Sequence, residues 1–128
     1  MKKVTMSSNL TKVELLNYFN YLDDIKVEVF NFCHKLKNDR GLKISALVED
    51  DKSKIHQEVT KETNILIRNL EQISNDCRSL LNSLPMLRQT QEELNSVYKE
   101  LNIYRQNLSD AKDWIDYTLL QINKLINT

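Results

Sequence analysis

The sequence predicts an all-α protein: one helix, a glycine break, then a long coiled-coil helix, elongated rather than globular. Three observations carry this. The 128 residues hold a single glycine, Gly41, and a single proline, Pro85, where average usage would place roughly nine and six. Sheets and multi-turn folds use both residues at their corners, so their scarcity argues for long helices. Apolar residues recur at steps of three and four, the spacing that aligns side chains on one helical face. From residue 59 to residue 122 every seventh position is Val, Ile or Leu, the period of a coiled-coil seam.

Residues 1–10 read as a flexible N-terminus. Lys2 and Lys3 give it a basic start, but no apolar stretch follows, so a signal peptide is not indicated. Residues 11–40 form the first, amphipathic helix, whose face is Leu15, Tyr18, Leu22, Ile25, Val29, Phe32 and Leu36. Leu16, Phe19, Phe30 and Cys33 flank this row and widen it beyond a narrow seam. Gly41, preceded by Asn38-Asp39-Arg40, supplies the left-handed residue that commonly closes a helix.

Residues 41–51 are a junction. Leu42, Ile44, Leu47 and Val48 cluster there, and Glu49-Asp50-Asp51 follows. Those acids suit the positive end of a helix dipole, and a solvated charge run is the equal alternative. Residues 52–128 then carry the seam: Val59, Leu66, Ile73, Leu80, Leu87, Leu94, Leu101, Leu108, Ile115 and Ile122. Its companion row is Thr63, Leu70, Cys77 and Leu84, then turns polar at Gln91, Arg105 and Lys112, while Val97, Tyr104 and Ala111 take over on the other side. Such drift is expected of a helix not fully supercoiled. Pro85 removes a backbone donor and crowds the preceding turn. Because Leu80, Leu87 and Leu94 hold phase across it, one kinked helix is favoured; the alternative takes Ser83 as a cap, Pro85 as a first-turn residue, and gives three helices.

A helix over residues 52–126 would be about 110 Å long against about 40 Å for the first, leaving much of the seam uncovered. Leucines worth roughly 1.5–3 kcal/mol each when buried call for another chain. In a parallel homodimer Arg105 and Lys112 would face their own copies, so a hetero-oligomer of coiled-coil subunits is preferred, with an antiparallel homodimer left open.

Eighteen basic and eighteen acidic residues cancel, which leaves no field to gather nucleic acid or an anionic surface. No run of about 18 apolar residues could cross a membrane. Cys33 and Cys77 fall on apolar faces and read as reduced structural thiols. Adjacent helical residues diverge by about 100°, so Cys33 and His34 do not share a metal, and no cofactor is expected. Acidic pairs such as Asp23-Asp24 fit exposed faces, and the aromatics of the first helix fit its core. Phosphate loops and nucleophile elbows need glycines the chain lacks, so no catalytic residue is assigned.

One segment is more specific. Phe32-Cys33-His34-Lys35-Leu36-Lys37-Asn38-Asp39-Arg40-Gly41-Leu42-Lys43, then Leu47-Val48-Glu49-Asp50, Lys52 and Ile55-His56-Gln57, resembles the muted subunit family of the biogenesis of lysosome-related organelles complex 1. Arg40, Gly41, Leu42, Glu49, Lys52, Ile55 and His56 carry the likeness. It implies a non-catalytic subunit of an elongated helical assembly, cytoplasmic and peripheral on endosomes, that sorts cargo toward pigment granules and other lysosome-related organelles. Two further classes fit the composition: a subunit of another helical assembly, such as a kinetochore, Mediator or tethering complex, and a SNARE-like fusion helix.

Overall fold

The computed structural model describes residues 10–37, 49–86 and 88–126, and they form three helices: α1 over Lys12–Lys37, α2 over Glu49–Ser83 and α3 over Gln91–Ile126. The expected all-α class is the one adopted. The expectations for residues 1–9, for the glycine break at Arg40, Gly41 and Leu42, and for the seam member Leu87 lie outside the described residues.

α1 starts on a reciprocal cap. The Thr11 backbone N–H donates to Glu14 Oε1 at 3.0 Å, and the Glu14 N–H donates to Thr11 Oγ1 at 3.1 Å, satisfying two donors that a helix start leaves open. Leu10, read from sequence as part of a flexible stretch, is buried, and its carbonyl accepts from Gln91 Nε2 at 3.1 Å.

Pro85 breaks the seam helix in two instead of kinking it. α2 stops at Ser83, two residues before the proline, as steric pressure on the residue ahead of a proline dictates. Ser83 closes that last turn, its hydroxyl donating to the Leu80 carbonyl at 2.8 Å, rather than capping the next helix. The cap of α3 is Thr90: its N–H donates to Glu93 Oε1 at 2.9 Å and the Glu93 N–H returns to Thr90 Oγ1 at 3.0 Å. Between them the Gln89 amide donates to the carbonyls of Pro85 and Met86 at 2.6 and 2.9 Å. Arg88 takes a left-handed conformation there, with φ of 62°. The single helix over residues 52–128 is thus replaced by an antiparallel pair.

Cross-links fix the directions. Lys12 Nζ donates to the Leu84 carbonyl at 3.2 Å and Ser74 bonds Asp23, so α1 runs antiparallel to α2. The Tyr18 and Tyr98 rings meet in a tilted contact at 5.9 Å, Leu10 bonds Gln91 and Asp23 bonds Tyr104, so α1 runs parallel to α3. The result is an up-down-up bundle with one continuous core from Leu10 to Ile122. Folding back removes the need for a second chain to cover the seam. Leu94, Leu101, Leu108, Ile115 and Ile122 of α3 and Val59 of α2 are buried, while Leu66, Ile73 and Leu80 sit half-buried at its edge. On α2 the companion row is the deeper one: Thr63, Leu70, Cys77 and Leu84 are all buried. On α3 the drift is also real, with Val97, Tyr104 and Ala111 buried and Arg105 and Lys112 exposed.

Candidate interaction surface

The first-helix face faces inward, as its spacing predicts. Leu15, Leu22, Val29 and Leu36 are buried, with Phe19 and Cys33 beside them; Tyr18, Ile25 and Phe32 are half-buried. The seam read from sequence as partner-binding therefore packs against the first-helix face of the same chain, and what remains for a partner is the outside of the bundle. Of the resembling segment, Glu49, Ile55 and His56 are placed on α2.

A polar node in the interior joins all three helices. Asp23 of α1 accepts from the Tyr104 hydroxyl of α3 at 2.6 Å and from Ser74 Oγ of α2 at 2.9 Å, both on Oδ1. Arg78 Nη2 donates to its Oδ2 at 3.3 Å, and Lys26 Nζ lies 3.7 Å from Oδ1. The pair Asp23-Asp24 is thus divided: Asp24 is exposed, and Asp23 is drawn inward where its lone pairs are met, as a half-buried carboxylate requires. Burial and the bond to Asp23 push the Tyr104 hydroxyl well above the usual phenol range. Burial, then the Glu100, Asp76 and Asp23 carboxylates, push the Cys77 thiol up to about 12. Cys33 is buried while its neighbour His34 is exposed, so the two point apart. Among the described residues no cluster of three or more His, Cys, Asp or Glu is placed to hold a metal ion, and no helix is long and apolar enough to cross a membrane.

Two kinds of groove mark the outside. Between α1 and α3, hollows of about 150 and 320 Å³ are lined by both signs of charge, Arg105 and Lys112 facing Glu28, Asp113 and Asp116. Between α2 and α3, hollows of about 410 and 220 Å³ share Glu62 and Trp114 and so form one trough. Its apolar lining includes Val59, Leu66, Ala111, Trp114, Tyr117 and Ile122. Its charged lining among the described residues is Glu58, Glu62 and Asp110, none of them a cation. Glu58 and Glu62 have no ion-pair partner among the described residues. Exposed apolar side chains lie along the same helices: Ile65 on α2, and Ile103, Tyr117 and Leu120 on α3, with Tyr117 61% exposed.

Glu58, Glu62, Trp114 and Tyr117 are absent from the sequence-derived interface. A usable signal was the pairing of Glu58 with Glu62, one turn apart beside Val59, since like charges at that spacing repel and need a reason to persist. No family model, curated protein or solved structure matches the chain.

Proposed function

We propose that the protein is a non-catalytic subunit of a hetero-oligomeric assembly of helical proteins, working by presenting the outer faces of its bundle to partner helices. The observation that supports this is the α2/α3 trough, whose lining includes the exposed side chains Tyr117 and Ile65. These side chains stay in water after the bundle has buried its core, and an apolar groove left exposed in this way suits an interaction site. The likeness at Arg40-Gly41-Leu42 and Ile55-His56 supports the finer reading. In it, the assembly sorts endosomal cargo toward lysosome-related organelles such as pigment granules, and the chain is peripheral on endosomes, held there by its partners.

Native affinity capture of the full chain from cells, followed by mass spectrometry, tests both levels. A fixed set of helical subunits in constant stoichiometry is expected, and endosomal sorting subunits among them bear out the finer reading. Kinetochore, Mediator or tethering subunits would reassign the assembly. Recovery of the chain alone, as a monomer, would overturn the subunit role.

A further inference from the structure

We propose that the α2/α3 trough docks a basic amphipathic helix of a partner protein. This rests on the subunit reading above and names the partner's chemistry.

Charge is the first argument. The chain as a whole is neutral, with eighteen cations and eighteen anions, and the α1/α3 grooves carry both signs. The α2/α3 trough departs from that balance: among the described residues its charged lining is all acidic, Glu58, Glu62 and Asp110. A helix with Lys or Arg along its flanks complements this rim, which steers encounter and fixes orientation.

Shape is the second. The trough follows α2 from Glu58 to Leu70 and α3 from Asn107 to Ile122, about 18 Å along the first and about 22 Å along the second at the rise of an α-helix. Its length matches three turns of a visiting helix, whose apolar residues at i, i+4 and i+7 would meet Leu66, Trp114 and Tyr117. Glu58 and Glu62 stand one turn apart, the repeat at which a helix presents successive lysines.

A second copy of the chain fits worse. Isologous pairing through this surface would set one acidic rim against the other, with no cation among the described residues of either lining to separate them.

Trp114 is the sole tryptophan, so its emission reports the trough directly. The probe is a synthetic helix of about 20 residues, long enough to hold helical structure, with leucines at i, i+4 and i+7 and lysines on both flanks. Its control replaces each lysine with glutamate. The lysine helix should shift Trp114 emission saturably, with affinity falling as salt rises, and the glutamate helix should leave emission unchanged. The double variant Glu58→Lys/Glu62→Lys should bind the lysine helix at least about tenfold more weakly while keeping the parent's circular dichroism. Equal response to both helices, no response to the lysine helix, or a Trp114 shift that tracks dimer formation in sedimentation without peptide would overturn the proposal. If the double variant still captures the full assembly from cells, the trough is not the docking site and the subunit reading stands. If the unaltered chain is captured alone, the subunit reading falls, and the peptide titration still decides the trough's chemistry.

Discussion

Asp23 gathers polar partners from all three helices, Tyr104, Ser74, Arg78 and Lys26. Removing the Tyr104 hydroxyl leaves its carboxylate with Ser74, Arg78 and the Lys26 ammonium, and a bond to a charged group is worth about 1.5–3 kcal/mol. Tyr104→Phe should therefore lower unfolding free energy by about 2 kcal/mol in urea titration, and the same change in an Asp23→Asn background should cost less, the two residues being coupled. Cys77 provides a pH test. Its thiol titrates at about 12 in the folded protein against an ordinary 9.0, so the native state holds that proton more tightly. The resulting stability is complete below about pH 9 and is lost as pH rises toward 12. Cys77→Ala should start from a lower baseline, because it opens a cavity, yet lose less stability than the parent across that range. A parallel decline in the two proteins would exclude Cys77 as a contributor. The half-buried position of Asp23 was not legible, because Asp23 and Asp24 are chemically identical and only the opposing Ser74 and Tyr104 distinguish them.

Helix boundaries follow local chemistry, and here the sequence held two conflicting signals. Residues 84–90 number seven, so the interruption spans one full repeat of the seam, and Leu80 and Leu94 stay in phase on either side of it. Phase continuity therefore said nothing about backbone continuity. Thr90-Gln91-Glu92-Glu93 is the competing signal, a capping-box pattern placed five residues past a proline, and it locates the start of α3. By the same logic Thr11 and Glu14 announce α1. Thr90→Ala should cost about 1 kcal/mol, with hydrogen exchange accelerated in the first turn of α3 and unchanged in α1. At Arg88 the left-handed backbone is disfavoured by roughly 1–2 kcal/mol for a residue with a Cβ. Arg88→Gly should raise the melting temperature and Arg88→Val lower it, because a branched side chain tolerates that conformation least.

For the molecule as a whole, the heptad row was read correctly as apolar and wrongly as open. The physics was the same in both readings: a leucine stripe must be covered. A second chain was invoked because one helix of about 110 Å outruns its neighbour, whereas α3, at 36 residues, spans about 54 Å and fits beside α1 and α2. Leu101 is fully buried, so Leu101→Ala should cost about 2–5 kcal/mol. Leu101→Asp should abolish the cooperative thermal transition, since an unpaired interior charge consumes most of a domain's 5–15 kcal/mol. Loss of partner binding in that variant would report unfolding, and charge reversal at Glu58 and Glu62 is the change that tests the surface.

Three passes up, down and up have a further effect. Leu10 lies beside Gln91 at the start of the last pass, while Ile126 finishes it, so the polypeptide enters at one pole and leaves at the other. Whatever is tethered to those two points is kept about 50 Å apart. An even number of passes would have brought them together; three hold them at opposite poles of the bundle.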